Sequence, residues 1–226
     1  MAPPPPAWGR ASALLSIAVL TLIVVPLALA QQVSAPFEDA YHQSGPPAIP
    51  GIVYAALYDL GGEGLAYHDT TPLNEGSDGL NRDPKHQRAH GSEYTWHFRA
   101  KEGADISFVK DWADLNHPNP VTPPINAFYL GWTDDGEWTR YTVEVREPGT
   151  YAVKAMYAHQ ANEVSFDLDG VPAARCKVPV ASESYHHWNL ARIGAITFPT
   201  AGRHVLTFHY GKGNNWMFFL FEKTAP

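Results

Sequence analysis

Histidine, carboxylate and aromatic side chains are the groups in this chain whose types and spacing could do chemistry. His86, His90 and His97 fall close together in one polar stretch, and His186 and His187 are adjacent. Imidazoles are common zinc ligands, so a metal would be sought there first. The first three match no compact metal-binding spacing, and neighbouring residues of a strand point to opposite faces, which separates His186 from His187. Asp135 and Glu137 are a carboxylate pair of the kind glycoside hydrolysis uses. Asp135 belongs, however, to Asp134-Asp135-Gly136, which reads as a turn that runs into Glu137. A serine nucleophile elbow of the G-x-S-x-G type is absent. Cys176 is the single cysteine, so it forms no intramolecular disulfide and is expected to be a buried apolar filler.

The aromatic groups carry more. Seven Trp and eleven Tyr accompany a charged fraction of only 17%, and some of those rings are expected to face a ligand. The formal net charge is −7 with Lys and Arg scattered along the chain. That removes the basic footprint which nucleic-acid binding needs and makes polyanions poor partners.

The elements that must position these groups are strands. In 138–145 Tyr141, Val143 and Val145 share one face, and Arg140, Thr142 and Glu144 the other, a period of two. Pro148-Gly149 turns the chain, and Tyr151, Val153, Ala155 and Tyr157 resume the alternation, as in a half-buried antiparallel layer. Further strands are predicted at 52–58, 105–109, 127–132, 164–168, 187–198, 205–210 and 216–221, with Asp169-Gly170 as a hairpin turn. The stretch 74–97 has no period. Nothing shows a convincing helical pattern, so the fold class is all-β, a β-sandwich of two antiparallel sheets, jelly-roll type.

Before the sandwich, Arg10 precedes an apolar run over 13–29 that ends Ala28-Leu29-Ala30, the layout of a signal peptide with an A-x-A cleavage site. An uncleaved anchor is the alternative reading of that run. The expected organisation is 1–30 signal peptide, 31–48 linker and 49–226 sandwich, exported from the cell, with no membrane partner once the leader is cleaved.

The sequence resembles the family 6 carbohydrate-binding modules and their close relatives, secreted sandwich domains usually attached to polysaccharide-degrading enzymes. The resemblance rests on Ile49-Pro50-Gly51 followed by Tyr58-Asp59, on GGEGLAYHDTTPLNEG at 61–76 and on LGWTDDGEWTRYTV at 130–143. EGADI at 102–106, the Asp169-Gly170 turn, 201–204 and Asn215 add to it. It implies a non-catalytic protein that binds a neutral polysaccharide or oligosaccharide in a cleft at the loop edge, acting beside a separate glycan-degrading enzyme or on its own cell surface. There two rings grip a pyranose and an asparagine binds its hydroxyls.

Carried over by position, the resemblance puts the first ring on Phe98, the second on Tyr185 with Trp188 as its partner, the asparagine on Asn215, and a hydroxyl contact on Glu63. Each has a plainer alternative: Phe98 and Trp188 as core, Asn214 or Asn215 as a turn cap. A second alignment would move the first match to Asn81-Arg82. Trp132 and Trp138 fall in predicted strands and are expected to pack.

Two departures stand out. Relatives hold a structural calcium through two glutamates of the first strand, which here are Tyr54 and Ala56, so no cofactor is expected: the usual site is absent, with apolar packing in its stabilising role, or is rebuilt from other groups. The insertion 77–97 lands beside the expected cleft, to narrow, extend or block it. Two other functions remain open: an exported structural or adhesion sandwich without sugar binding, and a metal-dependent glycan-active enzyme.

Overall fold

The computed structural model describes residues 1–4, 33–87 and 91–225. The chain divides into a unit Met1–Gln31 and a unit Gln32–Pro226. Past residue 4 the leader read at 1–30 lies outside the described residues, as does His90. Among the described residues no helix is long and apolar enough to cross a membrane.

The larger unit is a sandwich of two six-stranded sheets. The first contains β1 (Ala48–Ile49), β3 (Tyr67–His68), β6 (Trp138–Val145), β8 (Glu163–Leu168), β9 (Val171–Lys177) and β11 (Gly202–His209), in the order β1-β6-β11-β8-β9 with β3 also on β6. The second contains β2 (Gly51–Tyr54), β4 (Ile106–Phe108), β5 (Phe128–Leu130), β7 (Gly149–His159), β10 (Trp188–Phe198) and β12 (Asn214–Lys223). Its order is β10-β7-β12-β5-β4, with β2 also on β12. Pairing is antiparallel except between β1 and β6. From β6 to β12 the chain changes sheets at every step but the β8–β9 hairpin, which is jelly-roll connectivity.

The alternation read in the sequence fills the interior. Tyr141, Val143 and Val145 of β6 meet Tyr151, Val153 and Tyr157 of β7 in one buried cluster with Phe166, Phe208, Trp216 and Phe219. Cys176 is buried there too, and burial pushes its thiol up to about 11, which leaves it an apolar filler. A second buried cluster lies on the outer face of the second sheet. There Met156, Ala158, Tyr129 and Trp188 pack with Met217, covered by Val121 and Ala127 of the connection before β5.

Two segments differ from the sequence reading. Residues 33–47, read as part of a linker, lie against the sandwich: Ala35 bridges to Leu60, Ser34 Oγ donates to Asp59 at 2.7 Å, and Phe37 meets Phe98 edge-on at 5.6 Å. The insertion is built of single helical turns at Glu75–Gly79, Leu80–Arg82 and Glu93–Trp96. Buried Asn74 anchors it, its Oδ1 accepting from Ser77 N (2.7 Å) and Ile106 N (3.0 Å). Gly76 is required, because a Cβ there would come within 1.8 Å of the Ile106 carbonyl oxygen.

Candidate functional site

At the loop edge of the sandwich a cleft of about 360 Å³ is lined by Trp132, Tyr185, Asn215, Tyr129, His186 and Leu80, with Asp134 and Lys212 at its rim. Three loops build it. The first follows β5: Leu130 is the last paired residue, Gly131 N donates to Asp105 O at 3.0 Å, and Trp132 takes φ +49°. That left-handed turn takes Trp132 out of the strand direction, and its ring is 41% exposed. The turn is laced to the start of β12, where Gly213 N donates to Thr133 O (2.7 Å) and Asn214 N to Thr133 Oγ1 (3.0 Å).

The second loop, between β9 and β10, carries Tyr185, which is 44% exposed. Its ring lies 4.0 Å from that of His159 at 36°. The third element is β12, where neighbouring asparagines divide the work. Asn214 is a brace: its Nδ2 donates to Gln160 O (2.9 Å) and its Oδ1 accepts from Asn162 (2.6 Å). Asn215 lines the cleft, and its Nδ2 donates to Tyr185 O at 2.6 Å. Gly131 allows that approach, because a Cβ on it would sit 2.8 Å from Asn215 Oδ1.

Behind the cleft, Asp114 is fully buried and accepts three donors: Lys110 N (2.8 Å), Trp188 Nε1 (2.9 Å) and His186 Nδ1 (3.0 Å). His186 is thereby fixed in orientation at the cleft wall. Lys110 is itself buried, with Nζ on Ser107 Oγ (2.8 Å) and Asn81 Oδ1 (3.1 Å), and burial pulls its ammonium down to about 8. At the rim Lys212 Nζ donates to Asp134 at 2.8 Å, which holds that carboxyl below its usual range. The rim pair adds no net charge.

The structure brings Tyr185 and Asn215 together and separates the other two expected residues from them. Phe98 is 3% exposed and stacks on Phe128 at 4.0 Å and 15°. It is core, which corrects its reading as a cleft ring: the short turn at Glu93–Trp96 packs it inward between β5 and Phe37. Glu63 is exposed on the glycine-rich turn, accepting from Asp69 N (3.2 Å) and paired with His68 Nδ1 (2.5 Å), and does not line the cleft. Trp188 is buried, as its plainer reading had it. Asn81 is buried too.

Trp132 reverses expectation, because it faces the cleft and not the core. Its sequence signal was Gly131, which breaks the strand one residue before it. The insertion reaches the cleft through Leu80.

Glu137, His86 and His187 do not line the cleft. Glu137 is buried and accepts from Thr70 Oγ1 (2.6 Å), Thr70 N (3.1 Å) and Asp134 N (2.8 Å), which occupies both oxygens. His86 lies by Trp112, and His187 by His117. Among the described residues no group of three or more His, Cys, Asp or Glu is placed to hold a metal.

Residues 118–222 match the model of the carbohydrate binding module, family 6. No curated protein matches the chain. Among solved structures, a family 6 module of Clostridium stercorarium in complex with cellobiose is 14% identical, over 80% of this chain and 100% of that one, with a TM-score of 0.47. The module of Cellvibrio mixtus lichenase 5A with cellotriose is 21% identical, over 43% and 79%, with a TM-score of 0.39. A β-1,3-glucan binding module of Bacillus halodurans is 18% identical, over 42% and 76%, with a TM-score of 0.36.

Proposed function

We propose, from the match of residues 118–222 to the model of the family 6 carbohydrate binding module, that the protein is an exported, non-catalytic module that binds a neutral glycan in the cleft of Trp132, Tyr185 and Asn215. The observation that carries this reading is the convergence of two half-exposed rings and one amide on a single cleft within the matched segment. A pyranose ring has apolar C–H faces that pack on aromatic rings and hydroxyls that need polar partners. Trp132 and Tyr185 supply the first, Asn215 and His186 the second. The rim pair Asp134–Lys212 neutralises itself, which favours an uncharged ligand.

Binding needs no proton transfer, and the carboxylates nearest the cleft are already engaged: Glu137 by three donors, Asp134 by Lys212. With two rings and a few hydrogen bonds in an open cleft, Kd is expected between roughly micromolar and millimolar. Export follows from the leader read in the sequence, and a separate glycan-degrading enzyme is the expected companion. An array of neutral and anionic glycans tests the reading: it requires signal on a neutral class. Binding confined to anionic glycans, or to none, counts against it.

A further inference from the structure

We propose that His117 and His187 form a two-histidine site for a divalent transition-metal ion, which staples the loop carrying Tyr185 and His186 to the connection before β5. The two half-buried rings lie outside the cleft, with centres 5.4 Å apart and planes at 68°. Two imidazoles bound through nitrogen to one tetrahedral zinc, at about 2.0–2.1 Å each, hold their ring centres roughly 5 Å apart. An ion therefore fits between these rings with little movement of either.

The nitrogens of this pair are unclaimed by the rest of the protein. Among the described residues every other histidine faces a carboxylate or, for His159, a backbone carbonyl. His117 Nε2 is buried and has no hydrogen-bond partner, although buried polar atoms are normally satisfied. A bound cation would satisfy it. Among the described residues no third His, Cys, Asp or Glu joins the pair, so water completes the coordination. Nitrogen donors alone select the zinc, copper and nickel class over calcium, whose ligands are oxygens.

The backbone presents the two histidines already paired. Trp188 N donates to Asn119 Oδ1 (2.8 Å), Val121 N to Trp188 O (3.3 Å) and Asn119 Nδ2 to Asp114 O (2.6 Å). The segments on which the histidines sit are thus joined beside each ring, which lowers the cost of ordering a site. On the loop side His187 N donates to Ser184 O at 3.1 Å, closing the turn that holds Tyr185 and His186. An ion on His187 restrains that turn. Ion binding is independent of the proposed glycan cleft, and only its effect on sugar affinity rests on that reading.

The test is calorimetric titration of the tag-free mature chain with zinc, nickel and calcium chlorides, on the wild type, His117→Gln, His187→Gln and His86→Ala. A single zinc is expected, with Kd on the order of micromolar. It should weaken at least tenfold in either Gln variant and stay unchanged in His86→Ala, with no binding of calcium. Ring ¹⁵N resonances of His117 and His187 should shift together, and amide exchange at 183–187 should slow, with unchanged peaks elsewhere reporting an intact fold. No saturable zinc binding by the wild type overturns the site and leaves the His117 nitrogen in contact with the His187 ring alone. Glycan binding by the same sample then shows that the proposed function stands without it. Binding that survives both Gln variants, or that His86→Ala abolishes, puts the ion elsewhere and overturns the assignment. Zinc-dependent dimerisation in sedimentation, or bound zinc with unchanged exchange at 183–187, overturns the staple.

Discussion

The ring of Tyr185 lies 4.0 Å from the ring of His159, at an angle of 36°, so one of its faces is backed by protein. His159 ends β7 at φ +87° and is fastened on three sides: its N–H donates to Ser182 Oγ (2.8 Å), its carbonyl accepts from Ser182 N (2.7 Å), and Nδ1 donates to Gly213 O (2.9 Å). The Tyr185 ring is thus held for a ligand on its other face. His159→Ala is expected to weaken glycan binding by roughly three- to tenfold, the range of an aromatic pair worth about 0.5–1.5 kcal/mol. Calorimetric titration of the folded variant checks this.

Gly131→Ala should separate the site from the fold. The added Cβ meets Asn215 Oδ1 at 2.8 Å, the far end of a side chain able to shift, and Tyr129 at 3.3 Å. Moving Asn215 breaks its 2.6 Å bond to Tyr185 O and misplaces the amide. The expected result is at least tenfold weaker binding with a melting temperature lowered by only a few degrees. Thermal unfolding and titration on the same sample measure both.

Asp114 couples the core to the cleft. Removing its carboxylate leaves the donors of Lys110 N, Trp188 Nε1 and His186 Nδ1 without their acceptor. Asp114→Ala should cost about 2–4 kcal/mol, since each orphaned buried donor costs about 1–3 kcal/mol and relaxation recovers part. Urea unfolding reads the loss, and the His186 ring resonances should broaden or shift.

Stability should fall with rising pH because of Asp105. It is 4% exposed, and desolvation, helped by Asp69 and Glu137, pushes its carboxyl up to about 8. The folded state therefore holds a proton between the ordinary carboxylate value and about 8 that the unfolded chain has released. Unfolding becomes easier across that window, by up to about 1.4 kcal/mol per pH unit for one proton. Asp69, pushed up to about 6 by burial, adds to the lower part of it. Asp105→Asn keeps an acceptor for Glu75 N and should flatten the dependence, as urea midpoints at pH 5, 6.5 and 8 would show.

Much of the fold was legible because the period-two alternation in β6 and β7 marks the face each turns to the interior, although the two lie in opposite sheets and not in one layer. β9 was missed for the converse reason. Val171–Lys177 is an edge strand, largely exposed and carrying Pro172, so it has no apolar face to announce it. In the site, Tyr185 and Asn215 came from the resemblance to the family 6 modules, carried over by position, and from no local pattern of the chain itself.

Trp132 was hidden because 127–132 reads as one strand, and the break at Gly131 gains its meaning only from the backbone reversal at φ +49° that turns the next ring outward. Phe98 failed differently. Whether an aromatic residue beside a short turn points in or out depends on a partner distant in sequence, here Phe128 thirty residues on, and no local pattern encodes that.

Affinity electrophoresis through gels containing soluble xylan, mixed-linkage β-glucan, mannan or agarose-type galactan tests the central claim most directly, with wild type beside Trp132→Ala, Tyr185→Ala and Phe98→Leu. Retardation of the wild type by at least one neutral glycan is expected, abolished by Trp132→Ala and Tyr185→Ala at low glycan concentration and retained by Phe98→Leu. Retardation that survives loss of both cleft rings, or that no neutral glycan produces, would contradict the account.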